Sequence, residues 1–364
     1  YWIGDGQVAG SGENGHLLYA MAERMGVLFN MDVGGQSRTN TNILKQFNEL
    51  KHEISLPGSC SDSASSYLHL SRIANAILSL MAIPLIQSLI HNLREDDRPR
   101  VKLYAHAVVP LAASCGPGPF EYLKGKLLNL SYKVGEVEDI ISKIRSLYPC
   151  LGLTCSDIGV HEKEMADSSI LCTDPDPMAS FAGYKPASAV SDYLRIDLDM
   201  RQLDILLEMK AYAAAENLYT HGKHVQGDDV EVVSLFQLAT TSERKIVPQY
   251  DSFVRYYGNK YDDPSMYADH IIRSALQDSE GQQWTDAQRK AIVLRSAQVL
   301  VMYFGALEAL FEAISDCSSS SSVGTSGYST QWDRGAAMLI GSLEGSKTNG
   351  TQEGYMFYDL AQEY

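Results

Sequence analysis

Apolar residues recur at spacings of three and four along most of this chain, which is the period of an α-helix that buries one face. The clearest stripes cover 203–218 and 293–314, and the second keeps alternating steps of four and three. Shorter helical patterns cover 41–51, 67–93, 101–114, 136–147 and 266–276, and Pro84 should kink or break the second of these. No segment sustains the period of two that a half-buried strand requires. The pattern predicts an all-α fold, a large multi-helix bundle with irregular loops.

The helical pattern is interrupted at 173–190, where three prolines and a glycine occur together. Such a composition ends helices and suits a linker. We therefore expect two related or consecutive helical halves joined by a Pro-rich linker at 173–190. The first half covers 1–172 and ends in the Cys150/Cys155 region, and the second covers 191–364.

A short motif occurs near both ends of the chain. It consists of a tryptophan, then Gly-Ser-x-Glu, then Gly-x-x-x-Tyr-x-x-Ala, and it begins at Trp2 and again at Trp332. Its three parts are offset by 330, 331 and 339 residues. One boundary seen at both ends of a tandem-repeat unit explains this better than two independent small domains. The alternative is one domain with two related halves. The repeat predicts neighbouring copies of the same module, or a homo-oligomer, as partners.

Charge and hydropathy exclude two classes of partner. The formal net charge of −15 repels nucleic acid and anionic membrane surfaces. The longest apolar run, 77–90, is shorter than the roughly 20 residues that a membrane-spanning helix needs. We therefore expect a buried core helix there, and no membrane span.

Cysteines and glycosylation sequons indicate an oxidising compartment. The six cysteines allow three disulfides in 15 pairings, and Cys150 and Cys155 are close enough in sequence to close a small loop. Asn129 and Asn349 each begin an Asn-x-Ser/Thr sequon. These features predict disulfide-linked loops and a secreted, extracellular or periplasmic protein of the cell surface.

Candidate chemistry points to metal binding rather than to catalysis. No nucleophile elbow, P-loop, zinc-protease motif or cofactor loop is present, so we expect a non-enzymatic protein without catalytic or cofactor-binding residues. Glu308, Glu312 and Asp316 recur at spacings of four, so they share one helix face near a C-terminus, where the helix dipole disfavours them. A bound cation would compensate them, and the alternative is a solvated face with basic neighbours.

A second candidate site lies in a tyrosine-rich segment after Tyr250. Tyr257, Tyr261 and Asp269 combine phenol and carboxylate oxygens, which suit a hard ion such as Fe³⁺. The alternative is that these tyrosines serve packing and hydrogen bonding. Fe³⁺ is the one metal ion expected, with no other cofactor.

Several segments resemble algal iron-assimilation proteins, the secreted or periplasmic proteins that green algae induce at low iron or high CO2. The similar segments are 83–87, 148–155, 196–199, 256–258 with 267–269, 308–317 and 332–345. The resemblance implies extracellular iron capture without enzymatic turnover. In that family the segment similar to 196–199 precedes the one similar to 83–87. The reversed order here favours an excerpt from consecutive modules.

Two functions follow from these observations. The first is extracellular iron binding, which the resemblance favours. The alternative is a structural repeat module of an extracellular surface or filament assembly, which tandem repetition favours because arrays build extended structures.

Overall fold

The computed structural model describes residues 17–56, 64–165, 172, 174, 176, 178–225, 234–240, 256, 266–278, 284–318, 326–351 and 353–362. The chain forms two compact units, unit 1 covering Tyr1–Asp174 and unit 2 covering Pro175–Tyr364. Among the described residues, the regular secondary structure of both units is helical apart from one two-stranded hairpin, which confirms the all-α prediction. The motif that begins at Trp2 lies largely outside the described residues.

Unit 1 is built from seven described α-helices and a short antiparallel hairpin. The helices are α1 (Leu18–Leu28), α2 (Arg38–Ser55), α3 (Ala64–Arg94), α4 (Arg98–Ala113), α5 (Pro117–Leu123), α6 (Val137–Arg145) and α7 (Cys155–Ile158). A π-helical turn, Lys124–Leu128, extends α5. The hairpin strands are β1 (Asp32–Val33) and β2 (Gln36–Ser37), and the two glycines between them have positive φ.

Helix α3 continues through Pro84 as one element of 31 residues, so the expected break does not occur. Proline removes one backbone hydrogen bond. The helix compensates by burial, because Ile83, Ile86 and Ile90 beside the proline are all in the core of unit 1. Residues Leu70–Arg94 and Asp286–Cys317 are long and apolar enough to cross a membrane by length and composition alone. Both also supply core side chains to their own units, as central helices of a globular protein do.

The two described disulfides join Cys115 to Cys150 and Cys155 to Cys172. The small loop considered between Cys150 and Cys155 is therefore not formed. The two cysteines lie on either side of a turn, and each points to a partner in a different part of unit 1. Cys60 lies outside the described residues.

Unit 2 contains the remaining helices around a second core. They are α8 (Ser191–Leu194), α9 (Ile196–Glu208), α10 (Tyr212–His221), α11 (Leu235–Thr240), α12 (Tyr267–Gln277), α13 (Asp286–Ser296), α14 (Phe304–Ser318), α15 (Ser326–Ile340) and α16 (Phe357–Gln362). A π-helical segment, Ala297–Tyr303, joins α13 to α14. The continuous apolar seam at 293–314 thus runs through one long helical stretch.

The apolar stripe at 203–218 is divided between α9 and α10 rather than forming one helix. Lys210 has a φ of 58° and ends α9. The Lys210 amide donates to the Leu207 carbonyl and the Ala211 amide donates to the Leu206 carbonyl, which is the Schellman arrangement. The apolar faces of both helices pack on the same core, so the residues of the stripe are buried together although the helix is interrupted.

Part of the Pro-rich segment is packed onto unit 2. Phe181 and Val190 are buried in a small cluster with Ala337 of α15. The buried carboxylate of Asp333 accepts hydrogen bonds from the Ala187 amide, from the Ser188 amide and hydroxyl, and from Tyr184 Oη. Residues 181–190 are therefore held against α15 within unit 2.

Candidate functional site

The three acidic residues expected on one helix face lie on α14. Glu308 and Glu312 are half-buried and Asp316 is exposed. Within the described ranges, no three His, Cys, Asp or Glu side chains form a group that could hold a metal ion. Glu308, Glu312 and Asp316 share a helix face, but their side chains do not form a described metal-binding group. A metal site at these residues therefore stays a prediction.

The tyrosine-rich site is only partly described, because Tyr257 and Tyr261 lie outside the described residues. Asp269 is buried in the first turn of α12. Its Oδ1 accepts a hydrogen bond from Tyr219 Oη at 3.0 Å and lies 2.9 Å from Arg273 Nε. Burial raises the pKa of Asp269, although Arg273 opposes the change. This carboxylate already has a cationic partner within unit 2.

An open cleft of about 1080 Å³ lies within unit 2. Its walls are α9, α13 and the C-terminal segment that begins at Leu343. The volume is just above the range of small-ligand sites, roughly 300–1,000 Å³. Charged side chains of both signs line the cleft together with one phenol. This lining differs from that of a pocket for an apolar ligand and suits an ion or a polar molecule.

Four cleft residues form a compact polar group, which we name the cleft cradle: Asp204, Glu208, Lys290 and Tyr355. Lys290 Nζ lies 2.8 Å from Asp204 Oδ1 and 2.7 Å from Glu208 Oε2. Tyr355 Oη donates to Asp204 Oδ2 at 3.1 Å. Two carboxylates and a phenol therefore meet beside a single ammonium group.

Helix α9 places the two acids of the cradle side by side. Asp204 and Glu208 are four residues apart, so their side chains follow one another along one face. Leu203 and Leu207 precede the two acids by one position each, roughly 100° around the helix, and their burial in the core of unit 2 fixes the rotation of the helix. The apolar stripe of α9 thus decides that its acidic face lines the cleft.

A buried aspartate ties the start of α9 to the end of α15. Asp197 accepts hydrogen bonds from Ser342 Oγ at 2.7 Å and from the Leu343 amide at 2.6 Å. Burial raises the pKa of Asp197 to about 7, and these hydrogen bonds only partly offset that rise. The contact fixes the point at which the C-terminal segment enters the cleft wall.

A buried glutamate shapes the next part of that wall. Glu344 Oε2 accepts a hydrogen bond from the Thr351 amide at 2.8 Å. A Cβ atom at Gly350 or Gly354 would overlap the Glu344 carboxylate. Only glycine, which has no Cβ atom, allows the backbone to approach Glu344 this closely at these two positions. The terminal motif, Gly-Ser-x-Glu followed by Gly-x-x-x-Tyr, therefore supports the wall from which Tyr355 reaches Asp204.

The cradle changes the ionisation of its own members. Burial, with the nearby charge of Asp204, raises the pKa of Tyr355 to about 12. The hydrogen bond from Lys290 lowers the pKa of Glu208. Burial lowers the pKa of Lys290, but its two acidic partners outweigh that effect and the net change is upward. At neutral pH these shifts keep Glu208 a carboxylate, Lys290 an ammonium and Tyr355 a neutral phenol.

A second phenol–carboxylate–lysine group lies at the edge of the same cleft. Asp286 accepts a hydrogen bond from Tyr212 Oη at 2.6 Å, and its other oxygen lies 2.6 Å from Lys210 Nζ. The Arg289 guanidinium stacks over the Tyr212 ring at 3.4 Å. This group has one carboxylate instead of two, and both its lysine and its aspartate are exposed.

Sequence reasoning did not identify the cleft cradle. Asp204 and Glu208 carry a recognisable signal, because they are spaced by four beside an apolar stripe. Lys290 and Tyr355 carry none, since they are 82 and 147 residues away from Glu208 in the chain. Only the packing of α13 and the C-terminal segment against α9 brings them together.

Comparison with known proteins finds one protein family whose model matches this chain. The family model described as "Fea1: Low iron-inducible periplasmic protein" matches residues 169–357, which is just over half of the chain. The matched part contains all four residues of the cleft cradle. No curated protein and no solved structure matches the chain.

Proposed function

The chain belongs to the family of low iron-inducible periplasmic proteins, and from that premise we propose that it captures ferric iron outside the cytoplasm without enzymatic turnover. The family places the protein in the periplasm or outside the cell, in agreement with the disulfides of unit 1. In this proposal iron is the substance that the protein captures, and not a permanently bound cofactor.

The observation that carries the proposal is the cleft cradle. It offers carboxylate oxygens of Asp204 and Glu208 and the phenol oxygen of Tyr355 at one place in an open cleft. Fe³⁺ is a hard ion that prefers such oxygen donors to thiolate or thioether sulfur. An open cleft also leaves room for water or a small ligand to complete the coordination shell.

The ionisation of Tyr355 explains how the cradle would bind a ferric ion in preference to a monovalent cation. The phenol of Tyr355 is neutral below a pKa of about 12. A trivalent cation stabilises the phenolate and releases the proton to water, whereas a monovalent cation gives much less stabilisation. Binding should therefore weaken as pH falls, because protons compete for the same oxygen.

Ferric titration of the purified apoprotein tests the proposal. We expect one ferric ion per chain, delivered from a nitrilotriacetate complex, and a visible tyrosinate-to-iron charge-transfer band. Tyr355→Phe should abolish the band and weaken binding at least tenfold. Tyr212→Phe is the matched control, since it removes the phenol of the one-carboxylate group and should leave the band intact. A wild-type protein that binds no iron and stays colourless would refute the function.

We also propose that the protein carries N-linked glycans. Asn129 and Asn349 are both exposed, and the second stands in an exposed turn at the edge of the C-terminal segment. Thr351 of that sequon donates its hydroxyl proton to the Leu343 carbonyl. Peptide mass spectrometry after secretion from a eukaryotic host should find glycan at these positions. The variants Asn129→Gln and Asn349→Gln should each lose it.

A further inference from the structure

We propose that the Lys290 ammonium group occupies the position of the cargo cation in the cleft cradle, and that it must leave before a ferric ion can bind. This inference rests on the proposed function and identifies the residue that controls it. Lys290 acts on binding through Asp204 and Glu208, so it is a gating residue and not an iron ligand.

The contacts of Lys290 resemble those of a bound cation. Its Nζ lies within 2.8 Å of Asp204 Oδ1 and within 2.7 Å of Glu208 Oε2. Asp204 Oδ1 is buried and, among the described residues, accepts no aligned hydrogen bond. The charge of this oxygen is therefore balanced by the ion pair with Lys290.

The Lys290 ammonium and a ferric ion cannot both occupy the cradle, because their positive charges repel each other. A ferric ion bound to both carboxylates would lie within a few ångströms of the ammonium, and the repulsion between the two would be large in a partly buried site. The remaining anionic charge, two carboxylates and one phenolate, matches Fe³⁺ only after the lysine has gone. The exchange moves Lys290, still protonated, into solvent and releases the phenol proton of Tyr355.

The side chain of Lys290 is able to make this movement. It projects from α13 on a flexible four-carbon stem and is 30% exposed. It can turn toward the open side of the cleft without moving the helix. Lys210 forms a similar pair with Asp286 at the edge of the cleft, but that pair involves one carboxylate and does not include Tyr355.

Iron affinity of lysine variants tests the inference, measured as competition against nitrilotriacetate. Removing the resident charge with Lys290→Met should raise the affinity for Fe³⁺ at least tenfold. Lys290→Arg keeps the charge and should stay within about threefold of wild type. Lys210→Met is the matched control and should also leave the affinity unchanged. Lys290→Gln provides a second neutral variant if the methionine variant does not fold.

Amine labelling of the unaltered protein gives an independent measurement. Lys290 should react slowly with an acetylating N-hydroxysuccinimide ester in the apoprotein and at least fivefold faster after ferric loading. Lys210 should react at the same rate in both states. If wild type binds iron while neutral variants bind no tighter and Lys290 labelling does not change, the inference is wrong and the proposed function stands. If neither wild type nor the neutral variants bind iron, the proposed function itself fails.

Discussion

Replacing Asp333 with alanine should destabilise unit 2 strongly. The carboxylate is buried and accepts hydrogen bonds from two backbone amides and two hydroxyl groups of the segment 184–188. The Ala187 residue is exposed and Ser188 is half-buried, so water can reach part of this segment, but all four bonds are made to a charged acceptor. A hydrogen bond to a charged group contributes about 1.5–3 kcal/mol.

Losing the two backbone bonds to this carboxylate gives an expected loss of about 3–5 kcal/mol in the free energy of unfolding. That is a large fraction of the roughly 5–15 kcal/mol that stabilises a typical domain. Asp333→Asn keeps one acceptor oxygen and should lose about half as much. Asp192 lies on nearby α8, and burial raises its pKa, so Asp192→Ala should cost less than about 1 kcal/mol.

Urea unfolding followed by circular dichroism measures these differences, and limited proteolysis should cut near residues 181–190 first in the Asp333→Ala variant. An unfolding free energy within 1 kcal/mol of wild type, with unchanged protease resistance, would show that the Asp333 contacts do not hold this segment.

Two further expectations concern other buried positions. Burial raises the folded-state pKa of Asp197 to about 7, from an unfolded value of about 3.9, so wild-type stability should rise as pH falls from 8 to 5. The rise should be at most about 3 kcal/mol, because roughly two pH units of this range lie below the folded-state pKa, at about 1.4 kcal/mol each. Asp197→Asn should flatten this dependence in urea midpoints measured across the same range, and a wild-type midpoint that falls on acidification would contradict it. A Cβ atom at Gly159 would overlap the backbone oxygen of Phe29, whereas Gly34 has a similar φ and open space around it. Gly159→Ala should therefore lower the melting temperature of unit 1 far more than Gly34→Ala, which should cost about 1–2 kcal/mol, and equal effects would argue against the close contact.

The helices of this protein could be predicted where burial imposes the 3.6-residue period. The stripe at 293–314 and the helical patterns around α2, α4, α6 and α12 are examples, since one face of each packs on a buried apolar cluster. The break between α9 and α10 could not be predicted, because the left-handed position is occupied by Lys210 instead of a glycine or asparagine. Local pattern gives no sign of such a turn.

The candidate site shows the same limit at longer range. The sequence places Asp269 near several tyrosines, and the structure gives it a buried tyrosine partner, Tyr219, that sequence spacing does not indicate. The cleft cradle depends on Lys290 and Tyr355, which approach α9 only through tertiary packing. Ion pairs between residues that are far apart in the chain have no regular spacing, so a single sequence does not reveal them.

Both described disulfides lie in unit 1, and neither ties an element of the cleft. Exposure to thiols outside the cell would therefore act on the two halves of the chain unequally. Reduction would free the ends of the loops closed by Cys115–Cys150 and Cys155–Cys172, while the walls of the cleft depend on hydrogen bonds and packing that thiols do not attack. The proposed loading of ferric iron would then tolerate redox changes in the surroundings that loosen the other unit.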